Sequence, residues 1–528
     1  MAVFLTTIVL LGISKPLADP DFPMHLAVGE WIARHHAVPF VEPFAWTRPG
    51  APYYAYSWLA QLAFYAAYEA FGALGPRVLF GVLLAAPAIA VGVLGRVLGW
   101  RRSVTAIVAV LNIIASNFIV FALRPQLVLF TLVPLSWAAG YRLLRSEHPW
   151  RPALALLALN CIAANTHLFF PLAGAPAVLL WVQPPRERRR ALLMIGAIVG
   201  GWLLSPYALV WPQVFLLNFR GNALTHFPSP IIEYTPGFSS RLKVLGVALP
   251  CLIALLLLPF GLRRVELTRR EEIATAVLWI VGLAGFAYGV RLLLVWWLSL
   301  VPTVGRVLTA IGGDEEDRPP RRALRLAAYA VFALLAAASL ARGRKPWNFE
   351  ASDSRRLASD VGVLVDPLTT WLETNTAAGS GGRAYSGFDV GGYLTWRLHG
   401  AYSAASDSRG VFPDSIVISE SYVRAYQRPV TLGPWRKADI ALFPSSFIVA
   451  DSLNAAPEWR RAAYVAVPGR ITAGSAARDT IVLWVRDDWW RRAGRIPLER
   501  HGTDVTPEWM RALARDPRPD PAASYRQP

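Results

Sequence analysis

The sequence predicts a polytopic α-helical membrane protein, with about eleven transmembrane helices followed by a C-terminal extracytoplasmic α/β domain. Three observations predict it. Of 528 residues, 54% are hydrophobic and only 17% are charged, against about 25% charged in soluble domains. Apolar runs close to the roughly 20 residues needed for one span recur as far as Ala341. Beyond Ala341, charged residues alternate with short β-like runs. The chain therefore divides into a transmembrane domain, 1–341, with a first outer loop, 18–75; a soluble domain, 342–515; and a Pro-rich tail, 516–528, of the composition that stays disordered.

The first run, Met1–Leu17, lacks a basic start and a small-residue cleavage pattern, and acidic Asp19-Pro20-Asp21 follows it. It is expected to be an uncleaved helix; a signal peptide is the competing expectation. Later spans are expected at Arg77–Leu98, Val104–Leu123, Gln126–Leu144, Pro152–Leu168, Phe169–Val182, Ala191–Val210, Val244–Leu262, Ile273–Val290, Leu292–Ile311 and Ala323–Ala341. Ser57–Leu74 is apolar enough to span, but counting it would invert every later loop. It is expected to lie at the outer interface, with Trp58, Tyr65 and Tyr68 at headgroup depth.

Charge sets the orientation. The net charge is +18, which raises nucleic acid as a partner, but much of the excess lies in short loops. Arg96, Arg101 and Arg102 start a series of arginine-bearing alternate connections. The series continues through Arg142, Arg145 and Arg151, then 186–190, 263–270 and 318–325. Positive loops face the cytoplasm, so this is membrane-orientation charge and no nucleic-acid partner is expected. The protein is placed in the inner (plasma) membrane, N-terminus cytoplasmic, with the first loop, the loop Pro206–Lys243 and the C-terminal domain outside. Cys161 and Cys251 sit in apolar runs and imply no disulfide framework. In the tail, strands are expected at Ile416–Ile418, Ile440–Leu442, Phe447–Val449, Tyr464–Val467 and Thr480–Val485, and Gly391-Gly392-Tyr393-Leu394 is expected to form a strand turn.

Ionisable residues gather first in Ala18–Trp58. Asp19 and Asp21 flank a proline, which holds the chain extended and ends the preceding helix; in an extended chain both side chains point one way. Such a pair can bind a divalent metal ion, or one can act as base while the other tunes it. A polar helix exit is the structural alternative. Met24–Arg34 reads as a short amphipathic helix placing His25 one turn beyond Asp21. His35-His36 reads as a solvated loop, and Glu42 as a loop hydrogen-bond acceptor or a partner of the aspartates. Arg124, His167 and Arg291 fall at outward span ends and Glu233 in the second outer loop. Cations around a carboxylate suit a lipid phosphate held near a base; snorkelling to headgroups is the alternative for the arginines. No Walker A loop, dinucleotide fingerprint, zinc cluster or nucleophile elbow is present.

The run Asp19-Pro20-Asp21-Phe22-Pro23-Met24-His25-Leu26, with Gly29-Glu30-Trp31-Ile32, Pro39, Glu42-Pro43-Phe44 and Trp58-Leu59, resembles the first outer loop of bacterial GT-C superfamily membrane proteins. These are relatives of protein O-mannosyltransferases and lipid A aminoarabinose transferases. Arg124-Pro125-Gln126, Asn165-Thr166-His167, Ser205-Pro206-Tyr207, Ile232-Glu233, Arg291, Gly391–Leu394 and Asp407-Ser408-Arg409 extend the resemblance along nearly the whole chain. It departs at Ser57, where the pattern often has Glu, and at Pro23-Met24, which replace an aromatic pair.

The resemblance implies inverting transfer of a sugar from a polyprenyl-phosphate donor to an acceptor on the outer face. Asp21 would be the base and Asp19 its neighbour; His25, Glu42, Arg124, His167, Glu233 and Arg291 would serve substrate binding. Membrane lipids are the other expected partners. A divalent metal at Asp19 and Asp21 is the only cofactor considered, and the sugar and acceptor stay open. The competing classes are a non-catalytic GT-C-like protein for lipid-linked saccharide transport or envelope assembly, and a sensor whose tail binds ligand.

Overall fold

The computed structural model describes residues 2–14, 17, 19, 21–119, 123–182, 188–219, 242–312, 360–407, 409, 434–445, 447–467, 479–508, 510 and 511. The expected span Ala323–Ala341, the expected strand Ile416–Ile418, Glu233 and the terminal tail lie outside these residues. The chain divides into two compact units: Met1–Leu17, Val28–Val38 and Tyr54–Ala351 form one, and Ala18–Ala27, Pro39–Tyr53 and Ser352–Pro528 the other.

The first unit is helical. Its elements begin α1 (Ala2–Ser14), the second half of α2 (Asp21–His35), α3 (Trp58–Phe71), α4 (Leu74–Leu98), α5 (Arg102–Ile119), α6 (Leu129–Arg145) and α7 (Trp150–Ala164). Arg188–Leu203, Trp211–Phe219, Leu242–Leu262, Arg269–Tyr288 and Leu293–Ile311 follow. Helix α4 packs on α1, α5 and α6, and α7 packs on α6 and on Arg188–Leu203. Trp137, Trp296, Trp297, Phe130 and Leu298 sit at the centre of the core. Two of its indoles are paired, Trp297 Nε1 donating to Asn112 Oδ1 at 2.9 Å and Trp137 Nε1 to the Leu298 carbonyl at 3.3 Å, whereas the buried Trp296 Nε1 meets no acceptor among the described residues. An unpaired indole N–H away from water would cost about 1–3 kcal/mol.

Four helices among the described residues are long and apolar enough to cross a membrane: Leu74–Leu98, Pro125–Arg145, Arg269–Tyr288 and Leu293–Ile311. Arg189–Leu203 with Ala208–Asn218 makes a fifth if the pair, bent by 96°, counts as one. That bend corrects the expected straight span Ala191–Val210. Ser205-Pro206 interrupts it, since proline offers no N–H to continue a helix. The expected span Phe169–Val182 is also corrected: it is a 3₁₀ turn, Phe170–Ala177, then five helical residues, Val178–Val182. Pro171 and Pro176 fall within that stretch. Helix α7 is 15 residues long, about 22 Å, and ends at Ala164, short of the expected Leu168. Helix α3 is 14 residues long, about 21 Å against the roughly 30 Å of hydrocarbon. Its Tyr68 is buried in the protein, a correction to the headgroup position expected for it.

The second unit carries a six-stranded mixed sheet, order β2-β1-β3-β5-β4-β6. The strands are β1 (Gly382–Ser386), β2 (Tyr402–Ala404), β3 (Ile440–Pro444), β4 (Trp459–Val467), β5 (Asp479–Arg486) and β6 (Thr503–Asp504). Strands β2, β1 and β3 run parallel, with Ala384 opposite Ala404 and Ile440, while β5 is antiparallel to both neighbours. Helices Asp360–Asn375 and Phe388–Arg397 are joined by Asp366, whose Oδ1 accepts from Arg397 Nε at 2.8 Å and from the Tyr393 hydroxyl at 3.1 Å. Two expectations fail here. Phe447 precedes a helix, Ile448–Ala455, instead of opening a strand. Gly391–Leu394 lies inside the helix Phe388–Arg397 instead of forming a strand turn. Gly391 is needed there because a Cβ would stand 1.8 Å from the Ser406 carbonyl oxygen.

Candidate functional site

Asp19 and Asp21 do not form an extended pair. Asp21 opens α2, with Asp19 Oδ1 accepting from the Asp21 N–H at 3.2 Å and the Asp19 carbonyl accepting from the Phe22 N–H at 3.0 Å. An aspartate accepting a backbone N–H two residues on is the usual way this residue starts a helix. Asp19 is buried and Asp21 half-buried. Phe22, Met24, Leu26, Ala27 and Val28 are all buried, so the helix is covered on nearly every side, while Asp21 and His25 stay half-buried. The expected helix Met24–Arg34 begins three residues early. It sets Asp21 and His25 one turn apart on one face. Among the described residues no group of three or more His, Cys, Asp or Glu could hold a metal ion. The aspartates offer two ligands at most, one of them engaged with backbone.

Farther along the loop, Pro39–Tyr53 belongs to the sheet-bearing unit. Ala45 bridges Ala404 in parallel, Trp46 N–H donates to the Ala404 carbonyl at 3.2 Å, and Trp46 Nε1 donates to the Ala384 carbonyl at 3.1 Å. The loop thereby pairs backbone on the β2 edge, where unpaired strand groups would otherwise be available to another chain.

Glu42 anchors this segment. Its Oε1 accepts from the N–H groups of Phe44 at 2.9 Å and Ala45 at 3.0 Å, and from Arg409 Nη2 at 2.8 Å. Arg409 also donates to both Asp407 oxygens, from Nε at 2.8 Å and Nη2 at 2.6 Å. Its guanidinium lies 5.0 Å from the Phe44 ring centroid and 4.5 Å from that of Tyr53. The Glu42 and Asp407 side chains are fully covered and that of Arg409 is 8% exposed. Burial works against the Arg409 charge, but Asp407 and Glu42 outweigh it and hold its pKa well above the ordinary value. Burial, more than anything else, raises the Tyr53 hydroxyl and lowers the nearby Arg48 guanidinium. Of the two sequence alternatives for Glu42, the structure shows the loop hydrogen-bond acceptor. Its partner Arg409 lay with Asp407 in a weak motif, and nothing local in sequence links that motif to Glu42.

In the first unit, Asn165-Thr166-His167 turns the chain out of α7. Asn165 Oδ1 accepts from Trp58 Nε1 at 2.7 Å, and its carbonyl accepts from the Leu59 N–H at 3.0 Å, tying the start of α3 to this corner. His167 is buried. Its Nδ1 accepts from the Phe169 N–H at 3.1 Å, and its ring meets Tyr56 edge-on with centroids 6.4 Å apart. An accepting Nδ1 leaves Nε2 as the ring nitrogen that can donate. The Tyr207 hydroxyl accepts from the Ala55 N–H at 3.0 Å, a contact sequence reasoning missed although it had noted Ser205-Pro206-Tyr207. Arg124 is half-buried and extended ahead of the 3₁₀ turn Pro125–Val128. Arg291 lies in a second such turn, Val290–Leu292. His35 and His36 are exposed, but only His36 lies in the loop expected for both: His35 closes α2, its ring stacked on Trp31 at 4.1 Å.

No family model matches the sequence, and no curated protein matches it either. Among solved structures, the fold is similar to arabinofuranosyltransferase AftD from mycobacteria, with TM-score 0.55 and 16% identity over 92% of this chain and 41% of that one. It is also similar to the archaeal oligosaccharyltransferase AglB from Archaeoglobus fulgidus, solved with an inhibitory peptide and a dolichol-phosphate, with TM-score 0.51 and 12% identity over 84% of this chain and 69% of that one. Both are GT-C-type membrane glycosyltransferases. The chain has the GT-C fold. The GT-C resemblance carried by the first-loop residues is thus matched by the course of the backbone. The chain spans about two fifths of the length of the arabinofuranosyltransferase.

Proposed function

We propose that this GT-C-fold protein is a membrane glycosyltransferase moving a sugar from a polyprenyl-phosphate donor to an acceptor on the extracytoplasmic face. The observation that carries the proposal is the fold likeness over 92% and 84% of the chain to two membrane glycosyltransferases, one of them solved with a dolichol-phosphate. In this assignment the first loop and the C-terminal domain lie outside, and the remaining short apolar helices complete about eleven spans.

Inverting transfer needs a base that takes the acceptor proton as the acceptor oxygen attacks the anomeric carbon, while the lipid phosphate leaves on the opposite face. Asp21 is assigned that proton. It is half-buried at the start of a helix, with Asp19 fixing the backbone beneath it, so Asp19 acts as a positioning residue. Arg124, Arg291 and the His167 Nε2–H are assigned to the departing phosphate, and Glu233 and His25 to substrate. Glu42 contributes indirectly, by holding the loop.

The test is sugar transfer by purified protein from a panel of radiolabelled polyprenyl-phosphate sugars, with Asp21→Asn beside wild type. Transfer by wild type and its loss in the variant support the assignment. Full activity of the variant rejects Asp21 as base, and failure of every donor with the fold intact favours a non-catalytic role in transport or assembly.

A further inference from the structure

We infer that the first unit contains a binding groove for an anionic phospholipid, separate from any sugar donor. A cavity of about 870 Å³ opens where the ends of α4, α6 and α7 meet, and four arginines rim it: Arg96, Arg142, Arg145 and Arg151. Its walls are apolar, formed by Val93, Leu135, Ala155 and Leu159 among others. The volume lies within the roughly 300–1,000 Å³ of small-molecule sites.

Three features separate this groove from ordinary loop charge. Arg96, Arg142 and Arg145 lie in the last turns of α4 and α6, where helix dipoles favour cations. Arg151 lies in the first turn of α7, where the dipole disfavours one, so capping does not account for it. Next, none of the four makes an ion pair with a carboxylate among the described residues; Arg145 donates to the Val97 carbonyl at 2.9 Å, and Arg151 stacks on Trp150 at 5.3 Å. Among the described residues, no carboxylate answers these four like charges. Finally, the walls run inward from the rim. Leu135 is two turns before Arg142 and Leu159 about two turns beyond Arg151, on the order of 11 Å of apolar wall. Small side chains at Ala155 and Ala158 keep it open. A phosphate at the rim with an acyl chain along the wall matches both halves. Basic pockets between membrane helices take anionic headgroups by this same division. Free phosphate would satisfy the rim alone.

Native mass spectrometry of the full-length protein in detergent, with phosphatidylglycerol and phosphatidylcholine added in turn, tests the inference. Wild type is expected to retain phosphatidylglycerol in clear preference. The triple variant Arg96→Gln/Arg142→Gln/Arg151→Gln should weaken that retention on the order of 100-fold. Ala158→Trp, which fills the groove and keeps its charge, should weaken it too. Arg263→Gln/Arg264→Gln/Arg269→Gln, an equal loss of exposed charge elsewhere, should leave it unchanged, and melting curves check that each variant folds. Equal retention of the two lipids, or equal loss in the two triple variants, overturns the site. Displacement by millimolar inorganic phosphate, or retention untouched by Ala158→Trp, reduces it to a phosphate contact and overturns the lipid.

Discussion

Arg409 donates a 2.8 Å hydrogen bond to Glu42 across 367 positions of sequence. With Asp407 on its other edge and the Phe44 and Tyr53 rings on its faces, the guanidinium ties the loop Pro39–Tyr53 to its own unit. Removing one partner of a buried pair leaves uncompensated charge behind, which costs about 3–5 kcal/mol. Arg409→Met is expected to destabilise by that amount in thermal or denaturant unfolding. Glu42→Gln should cost less, about 1–3 kcal/mol, because Asp407 still answers the arginine. The double variant should lose less than the sum of the two; strict additivity would contradict a direct interaction.

Tyr53 makes the same cluster sensitive to alkali. Burial, assisted by Glu42 and Asp407 and opposed by Arg409, holds its hydroxyl above the ordinary 10.0. The folded state therefore keeps a proton that the unfolded chain releases. The stability linked to it is complete below pH 10 and is lost as pH rises toward the folded value. Unfolding midpoints measured from pH 8 upward should fall faster in wild type than in Tyr53→Phe. Parallel curves would show that Tyr53 does not titrate with unfolding.

Asp21 and Asp19 should separate by assay. Asp21→Asn is expected to lower the rate of sugar transfer about 10²–10⁴-fold, the contribution of a general base, with little change in melting temperature. Asp19→Ala removes a helix-start acceptor and should cost about 1 kcal/mol of stability. Asp19→Ser, which can still accept, should recover both stability and most activity. Equal activity losses in Asp19→Ser and Asp21→Asn would give Asp19 a chemical role.

Gly391 and Gly392 are adjacent but not equivalent. A Cβ at Gly391 meets the Ser406 carbonyl oxygen at 1.8 Å, whereas at Gly392 it meets the Met24 Cβ at 3.0 Å. Gly391→Ala should destabilise by about 3 kcal/mol, and Gly392→Ala by about 1 kcal/mol or less. Unfolding in denaturant ranks them; the reverse order would contradict the packing.

The sequence by itself determined the class of fold and the long helices. Leu74–Leu98 and Leu293–Ile311 are spaced by the apolar length a bilayer demands, and composition alone carries that. It also marked Ile440, Tyr464 and Thr480 as strand residues, because a short apolar, β-branched run is a local signal. The first-loop residues pointed to GT-C before any backbone was compared.

Only the tertiary structure decided the rest. Short strands β1 and β2 gain their pairing from distant neighbours and have little pattern of their own. Gly391-Gly392 reads as a turn until one sees the Ser406 backbone that excludes a side chain. Ser205-Pro206 breaks an apolar run that hydropathy counts as continuous. Asp19-Pro20-Asp21 reads as an extended pair, yet the Asp19 side chain and carbonyl accept from the Asp21 and Phe22 N–H groups where a helix begins. Glu42 and Arg409 meet because the chain returns through a sheet, and no local rule records such a return. Patterns of one element follow from neighbours a few residues away, but which charge answers which across hundreds of residues is fixed when the core closes.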